Sequence, residues 1–406
     1  MLDVSAIKKD FPIFDRTVRD GQRLIYLDSG ATAQKPISVL DAESNFYRFH
    51  NAAAHRGAHQ LAEEATEGFE NARSIVAEFI GAKSDEIVFT KSATESINLV
   101  AYALTEKIKP GDRIVVSEME HHANLIPWQQ LAKRTGAELA WFEVTPEGRL
   151  DLSVIDSVIT SNTTLVAITH QSNVLGTINP LDAIVKRASA VGAEVLLDAC
   201  QSVPHMSVDV QKLGVDYLAF SGHKALGPTG VGVLWGKNLE ALPPFLFGGS
   251  MIENVSMTDA TWAPAPKKFE AGVPNMAQAI GLGAALQYLQ KIGLNSIHQH
   301  EEYLTKALLA GLSDIKDLKV FGPLDLIDRG GTVSFTLDGI HPHDLGQFLD
   351  SKGVAVRTGH HCAWPLARKF NIQATTRASM YLYNDLEDID ALLSGINDAK
   401  KFFLER

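Results

Sequence analysis

Cysteine is nearly absent: Cys200 and Cys362 are the only two in 406 residues. Two thiols make no disulfide framework for a chain of this size, so a reducing, cytoplasmic setting is expected. No stretch approaches the roughly 18 apolar residues of a membrane span. The opening MLDVSAIKKDFPIF lacks the apolar core of a secretory signal. Basic residues are in deficit, with 37 Lys and Arg against 48 Asp and Glu and a formal net charge of -11. That balance argues against a nucleic-acid partner, although it leaves room for a local basic patch. What is present is ordinary globular composition, 45% apolar and 21% charged. A chain of this length exceeds what one core usually organises, so two subdomains are expected.

The patterning alternates between two periods. Leu61, Ala65, Phe69, Ala72, Val76 and Phe79 recur at spacings of three and four, which predicts a helix over 61–79. Short apolar runs predict strands: EIVFT (86–90), RIVVS (113–117), LVAIT (165–169), EVLLD (194–198) and YLAFS (217–221). After Lys91, the segment beginning SATES predicts a helix start, with Ser92 or Thr94 as cap and Glu95 in the first turn. VGVLW (231–235) follows a Gly-rich turn, so it is expected to run against its neighbour. The reading is an α/β fold with a mostly parallel sheet and one reversed strand. The last third differs: helical pattern near 279–312, then TVSFTL and GVAVRTG, then helices near 344–351 and 386–403. That is the signature of a smaller α+β domain beyond the loop PAPKKFEAGVPN (264–275).

In open α/β sheets, ligands sit beyond the carboxyl ends of the strands. Four predicted ends are polar: Ser92 with Thr94, Asn173, Asp198 with Gln201, and Ser221-Gly222-His223-Lys224. Taken singly, each has a bland reading as a cap, a turn residue or a solvated lysine. Taken together they suit pyridoxal 5′-phosphate. A Schiff-base lysine must reach the cofactor aldehyde, and an Asp must meet the pyridinium nitrogen. Asp198 and Lys224 fall at the ends of consecutive predicted strands. The helix start at SATES offers free N–H groups for a phosphate, with Thr94, Ser221 and His223 as further donors. His121, in MEHHAN, suits ring stacking or proton transfer. The pairs His121-His122 and His360-His361, the latter beside Cys362, raise a metal reading, but adjacent ligands suit no tetrahedral site and no zinc spacing is matched. Cys362, among glycine, histidines and Pro365, reads as a loop thiol with a reactive setting. Cys200, at a buried strand end, reads as packing. Arg377 suits a substrate carboxylate.

SGHKALGPTGVG around Lys224, DACQ (198–201), MEHHAN (119–124) and RTGHHCAWPL (357–366) resemble the SUF-type, group II, cysteine desulfurases. These are fold-type I pyridoxal-phosphate enzymes of the class-V aminotransferase branch. The resemblance runs from YLDSGATAQKP (26–36) through HRGAH (55–59) and ITHQSNVLGT (168–177) to RASMYLYN (377–384).

The resemblance implies a seven-stranded sheet in a large domain, 23–275, with 276–406 as a small domain that an N-terminal segment, 1–22, joins. It implies Lys224 as Schiff-base lysine and acid/base, His121 stacked on the ring, Asp198 on the ring nitrogen and Gln201 on the phenolic oxygen. Ala93, Thr94, Ser221 and His223 would hold the phosphate. Asn173, Arg377 and Arg357 would take the substrate carboxylate, with His55 and Arg56 near a dimer interface. Cys362 would receive sulfur from L-cysteine as a persulfide, leaving L-alanine, and pass it to an acceptor of iron–sulfur cluster assembly. Two neighbouring readings share the frame: a selenocysteine lyase, and a catalytically silent sulfur-trafficking subunit. The chain departs from the family pattern at Val273, where a Thr often reaches the partner subunit's phosphate.

Overall fold

The computed structural model describes residues 2–55 and 57–404. Seven strands form the main sheet, in the order Ile87–Thr90, Gly232–Gly236, Tyr217–Ser221, Glu194–Asp198, Thr163–Thr169, Arg113–Ser117, Glu138–Phe142. Every pairing is parallel except those of Gly232–Gly236, which runs against both its neighbours. The predicted single reversed strand is therefore found.

Both faces of this sheet are covered, and the alternation shows it. Leu165, Ala167, Leu196 and Ala219 face one core, while Val166, Ile168, Leu197 and Phe220 face the other. Apolar residues at successive positions are what a sheet buried on both sides requires. Glu138–Phe142 is the exception. It is an edge strand with Trp141 half exposed, and its weak apolar signal left no strand expectation over 138–142.

The sheet's second layer explains the helices. Gln60–Phe79 buries Ala65, Phe69, Ala72 and Val76 on the stripe the spacing predicts. The predicted helical stretch near 279–312 is two helices, Met276–Ile292 and Leu294–Ser313. Gly293 separates them, at a φ of 91° that favours glycine. Met276–Ile292 packs against Gln60–Phe79 and shares the large sheet's core. The change of core thus comes one helix later than the expected division at 275. Beyond it, Leu318–Phe321, Thr332–Leu337, Thr375–Ser379 and Arg357–Gly359 form a four-stranded sheet. Leu304, Leu308, Phe335, Leu349, Leu392 and Ile396 fill its core.

The N-terminal segment is fastened to this second body. Ile25–Tyr26 pairs in parallel with Val354–Ala355. Lys8 meets Asp385 at 2.6 Å and Asp388 at 3.2 Å, and Arg23 meets Asp388 at 3.0 Å. Among the described residues no helix is long and apolar enough to cross a membrane.

At the carboxyl edge of the large sheet, Gly232 lies opposite both Thr90 and Ser221. A Cβ on Gly232 would stand 2.4 Å from the backbone of Ser92. Only glycine lets the reversed strand come this close to the helix start. Gly232→Ala is expected to cost roughly 1–3 kcal/mol through this overlap, seen as a lower urea midpoint.

Candidate active site

The polar strand ends converge on one cavity of about 170 Å³. Eleven of the expected site residues line it: Ala93, Thr94, His121, Asn173, Asp198, Ser221, His223, Lys224, Arg357, Cys362 and Arg377. Cys200 and His361 line it as well.

The helix Ala93–Ala103 starts at its wall. Ser92 is the cap, its Oγ accepting the Glu95 N–H at 3.5 Å, and the Glu95 carboxylate reaches back to the Lys91 N–H at 2.5 Å. Thr94 is thereby left out of capping and is exposed toward the cavity. The Ala93 N–H donates to Ser221 Oγ at 2.9 Å, tying the helix start to the end of Tyr217–Ser221.

Lys224 closes a short turn, Gly222–Lys224, directly after that strand. The turn is held from outside. The His223 carbonyl, in the peptide leading into Lys224, accepts three donors: Thr32 Oγ1 at 3.2 Å, the Ala33 N–H at 3.0 Å and Lys35 Nζ at 3.0 Å. Burial lowers Lys35 to about 8, and no carboxylate is in salt-bridge contact with it among the described residues. Lys35 carries no signal in the sequence, because its partners are main-chain carbonyls that no spacing reveals.

Asp198 is buried at 4% exposure, and its Oδ1 accepts the Cys200 N–H at 3.0 Å. Burial, with the Asp198 carboxylate beside it, pushes the Cys200 thiol up to about 12. It stays protonated, in keeping with packing. His121 is presented by a turn built on Glu120, which is fully buried. Glu120 accepts Ser117 Oγ at 2.6 Å, Asn124 Nδ2 at 2.6 Å and the Thr169 N–H at 3.0 Å. His121 Nδ1 accepts the Ala123 N–H at 3.1 Å, so the neutral ring carries its proton on Nε2. Burial, aided by the Lys224 charge, drives His121 down to about 3.

Arg377 is fully buried. Nη1 donates to the Asn173 carbonyl at 2.9 Å and Nη2 to Asp28 at 3.0 Å, while Nε has no partner among the described residues. The expected fork is therefore partly committed to the protein itself. Asn173 Nδ2 reaches the His361 carbonyl at 2.8 Å, next to Cys362.

Three expected residues fall elsewhere. Gln201 stands behind the wall, its Nε2 donating to the Gly30 carbonyl at 2.8 Å, so that amide is already engaged. His55 borders a different hollow, 3.2 Å from Glu70. Arg56 lies outside the described residues.

The lining and the sheet together mark a fold-type I pyridoxal-phosphate enzyme. The family model for aminotransferase class-V matches residues 25–392, and the chain belongs to that family. A probable cysteine desulfurase of Streptomyces coelicolor is 56% identical over 411 residues, covering 99% of this chain and 98% of that protein. The apo structure of a cysteine desulfurase from Thermococcus onnurineus NA1 matches with a TM-score of 0.94 at 41% identity, covering 99% of both chains. A mutant of C-DES, solved with glycine covalently linked to its PLP cofactor, matches with a TM-score of 0.83 at 25% identity, over 96% of this chain and 99% of that one.

The residues fit that cofactor. Lys224, Arg357 and Arg377 set three cations against one lining carboxylate, Asp198, a balance suited to a phosphate and a substrate carboxylate. The unpaired Arg377 Nε is a buried donor in want of an acceptor.

Burial, with neighbouring cations, holds His223 down at about 4 and His361 at about 2, and burial alone holds His170 at about 4. With His121, these four stay neutral in the fold but take protons near 6.5 once unfolded. The unfolded state then binds more protons below that pH, so stability falls with acidity. Urea midpoints measured from pH 7.5 to 5 are expected to fall on the acid side.

Proposed function

We propose that the chain converts L-cysteine to L-alanine and holds the released sulfur as a persulfide on Cys362, supplying an acceptor protein for iron–sulfur cluster assembly as in the SUF system. The observation that carries this reading is one cavity lined by both Lys224, just after a strand of the seven-stranded sheet, and Cys362, just after a strand of the four-stranded one.

Pyridoxal 5′-phosphate, when bound, supplies an electron sink that stabilises negative charge next to the substrate's amino carbon. Lys224 Nζ would hold it covalently at rest and would then move the proton on the substrate α-carbon. Asp198 would keep a proton on the ring nitrogen, and His121, neutral and fixed by Ala123, would stack on the ring. Ala93, Thr94, Ser221 and His223 would hold the phosphate, and Gln201 the phenolic oxygen. Arg377, Arg357 and Asn173 take the substrate carboxylate. Cys362 Sγ attacks the substrate sulfur: the Cβ–S bond breaks, an S–S bond forms, and the β-carbon gains a proton. The sum is L-cysteine plus the thiol going to L-alanine plus the persulfide.

The working form in this reading is a cytoplasmic homodimer with its sites at the interface. His55 borders a hollow apart from its own chain's cavity, which suits a contribution with Arg56 to the partner's site. Val273, 78% exposed, supplies no hydroxyl there. The division into a segment 1–22, a large domain and a small domain belongs to the same proposal, with the helix Met276–Ile292, packed on the large sheet's core, as the link between the last two.

Cys362→Ala is expected to keep the yellow absorbance of bound cofactor and its loss on borohydride treatment, yet to make no persulfide. Alanine and sulfide released at the wild-type rate would remove Cys362 from the reaction. Lys224→Ala is expected to lose the borohydride-sensitive band.

A further inference from the structure

One residue outside the Cys362 segment grips its main chain twice, at and just beyond the thiol-bearing residue. The His122 N–H donates to the Cys362 carbonyl at 2.8 Å. Its ring Nε2 accepts the Trp364 N–H at 3.1 Å. A ring nitrogen that accepts carries no proton, so His122 is neutral with its hydrogen on Nδ1. Burial and the neighbouring His360 lower its pKa, which favours that form at neutral pH.

His360 completes the grip from within the segment. Its Nδ1 accepts the Cys362 N–H at 3.1 Å. Its ring lies 4.7 Å from that of Trp364 and 5.8 Å from that of His122, centre to centre. The enclosed backbone is left-handed, with φ 52° at His361 and 57° at Cys362. Residues with side chains resist that conformation, and it persists only where surrounding bonds hold it. His122 itself does not line the cavity. Its influence on the chemistry therefore runs through the loop.

We propose that His122 is a positioning residue for the sulfur-accepting step: its main-chain donor and ring acceptor together latch the Cys362 loop with the thiol facing the cavity. The inference rests on the desulfurase reading above. In the sequence His122 stands out only as half of a histidine pair; its use as a latch depends on a contact across 242 positions of chain.

The test compares the wild-type holoenzyme with His122→Ala and His122→Gln. Glutamine can present its amide oxygen about where Nε2 stands and so keeps an acceptor, whereas alanine keeps only the main-chain bond. Two quantities are read: the rate at which iodoacetamide alkylates Cys362, followed by peptide mass, and kcat and KM for alanine formation. His122→Ala is expected to be alkylated severalfold faster. It should also lose roughly tenfold in kcat with KM for cysteine unchanged, in line with the sensitivity of rates to small misplacements. His122→Gln should stay near wild type in both. Wild-type alkylation and kcat in His122→Ala would overturn the latch, as would a glutamine variant that behaves like the alanine one. A wild type that forms no alanine would sink the desulfurase reading instead, and the alkylation comparison would still decide the latch.

Discussion

The site exists because Arg377 and Asn173 join two bodies that fold around separate cores. Arg377 rises from the four-stranded sheet and donates to the Asn173 carbonyl beyond a strand of the large one. Asn173 answers with its side-chain amide, at the carbonyl of His361. Asp28 holds the guanidinium from a third direction, on a segment that pairs with the four-stranded sheet at Ser379. A buried guanidinium without such partners would be strongly destabilising. The same set of bonds ties the chain beyond the strand Thr163–Thr169 to the cysteine loop. Stability and chemistry depend here on one joint.

Around that joint the electrostatics divide by charge type. The permanent cations face the cavity, while the imidazoles are held neutral by burial. A neutral His121 ring suits stacking on an electron-poor heterocycle better than an imidazolium would. Cys200 shares the wall with Cys362 but differs in setting: buried beside Asp198, it stays a protonated thiol. Cys362, by contrast, is only partly buried.

Much of this was legible in the sequence for a physical reason. Strands buried on both faces leave continuous apolar runs, and the polar residue that ends each run lies at the ligand-binding edge. Ser221, Asp198 and Asn173 were readable in that way. The helix start at SATES was readable from its capping chemistry, although Ser92 and Thr94 both suit the cap and Ser92 takes it. The illegible parts depend on distant pairing. Trp141 sits on an edge strand whose half-exposed residues give little periodic signal. Gly232 looks like any turn glycine until Ser92 is set against it. Gln201, expected to face the ring, is turned to Gly30, because a main-chain carbonyl supplies the acceptor its buried amide requires.

The three donors on the His223 carbonyl carry a mechanical consequence. A carbonyl held by Thr32, Ala33 and Lys35 cannot swing, so the peptide plane leading into Lys224 is fixed. The travel of the Lys224 amine is then confined to rotations about its own four-carbon stem. Cys362 is held through the main chain of its loop, by His122 at its own carbonyl and by Asn173 at that of His361. The two groups are thus mounted differently: Lys224 as an arm on a fixed peptide, Cys362 as part of a segment pinned by distant residues.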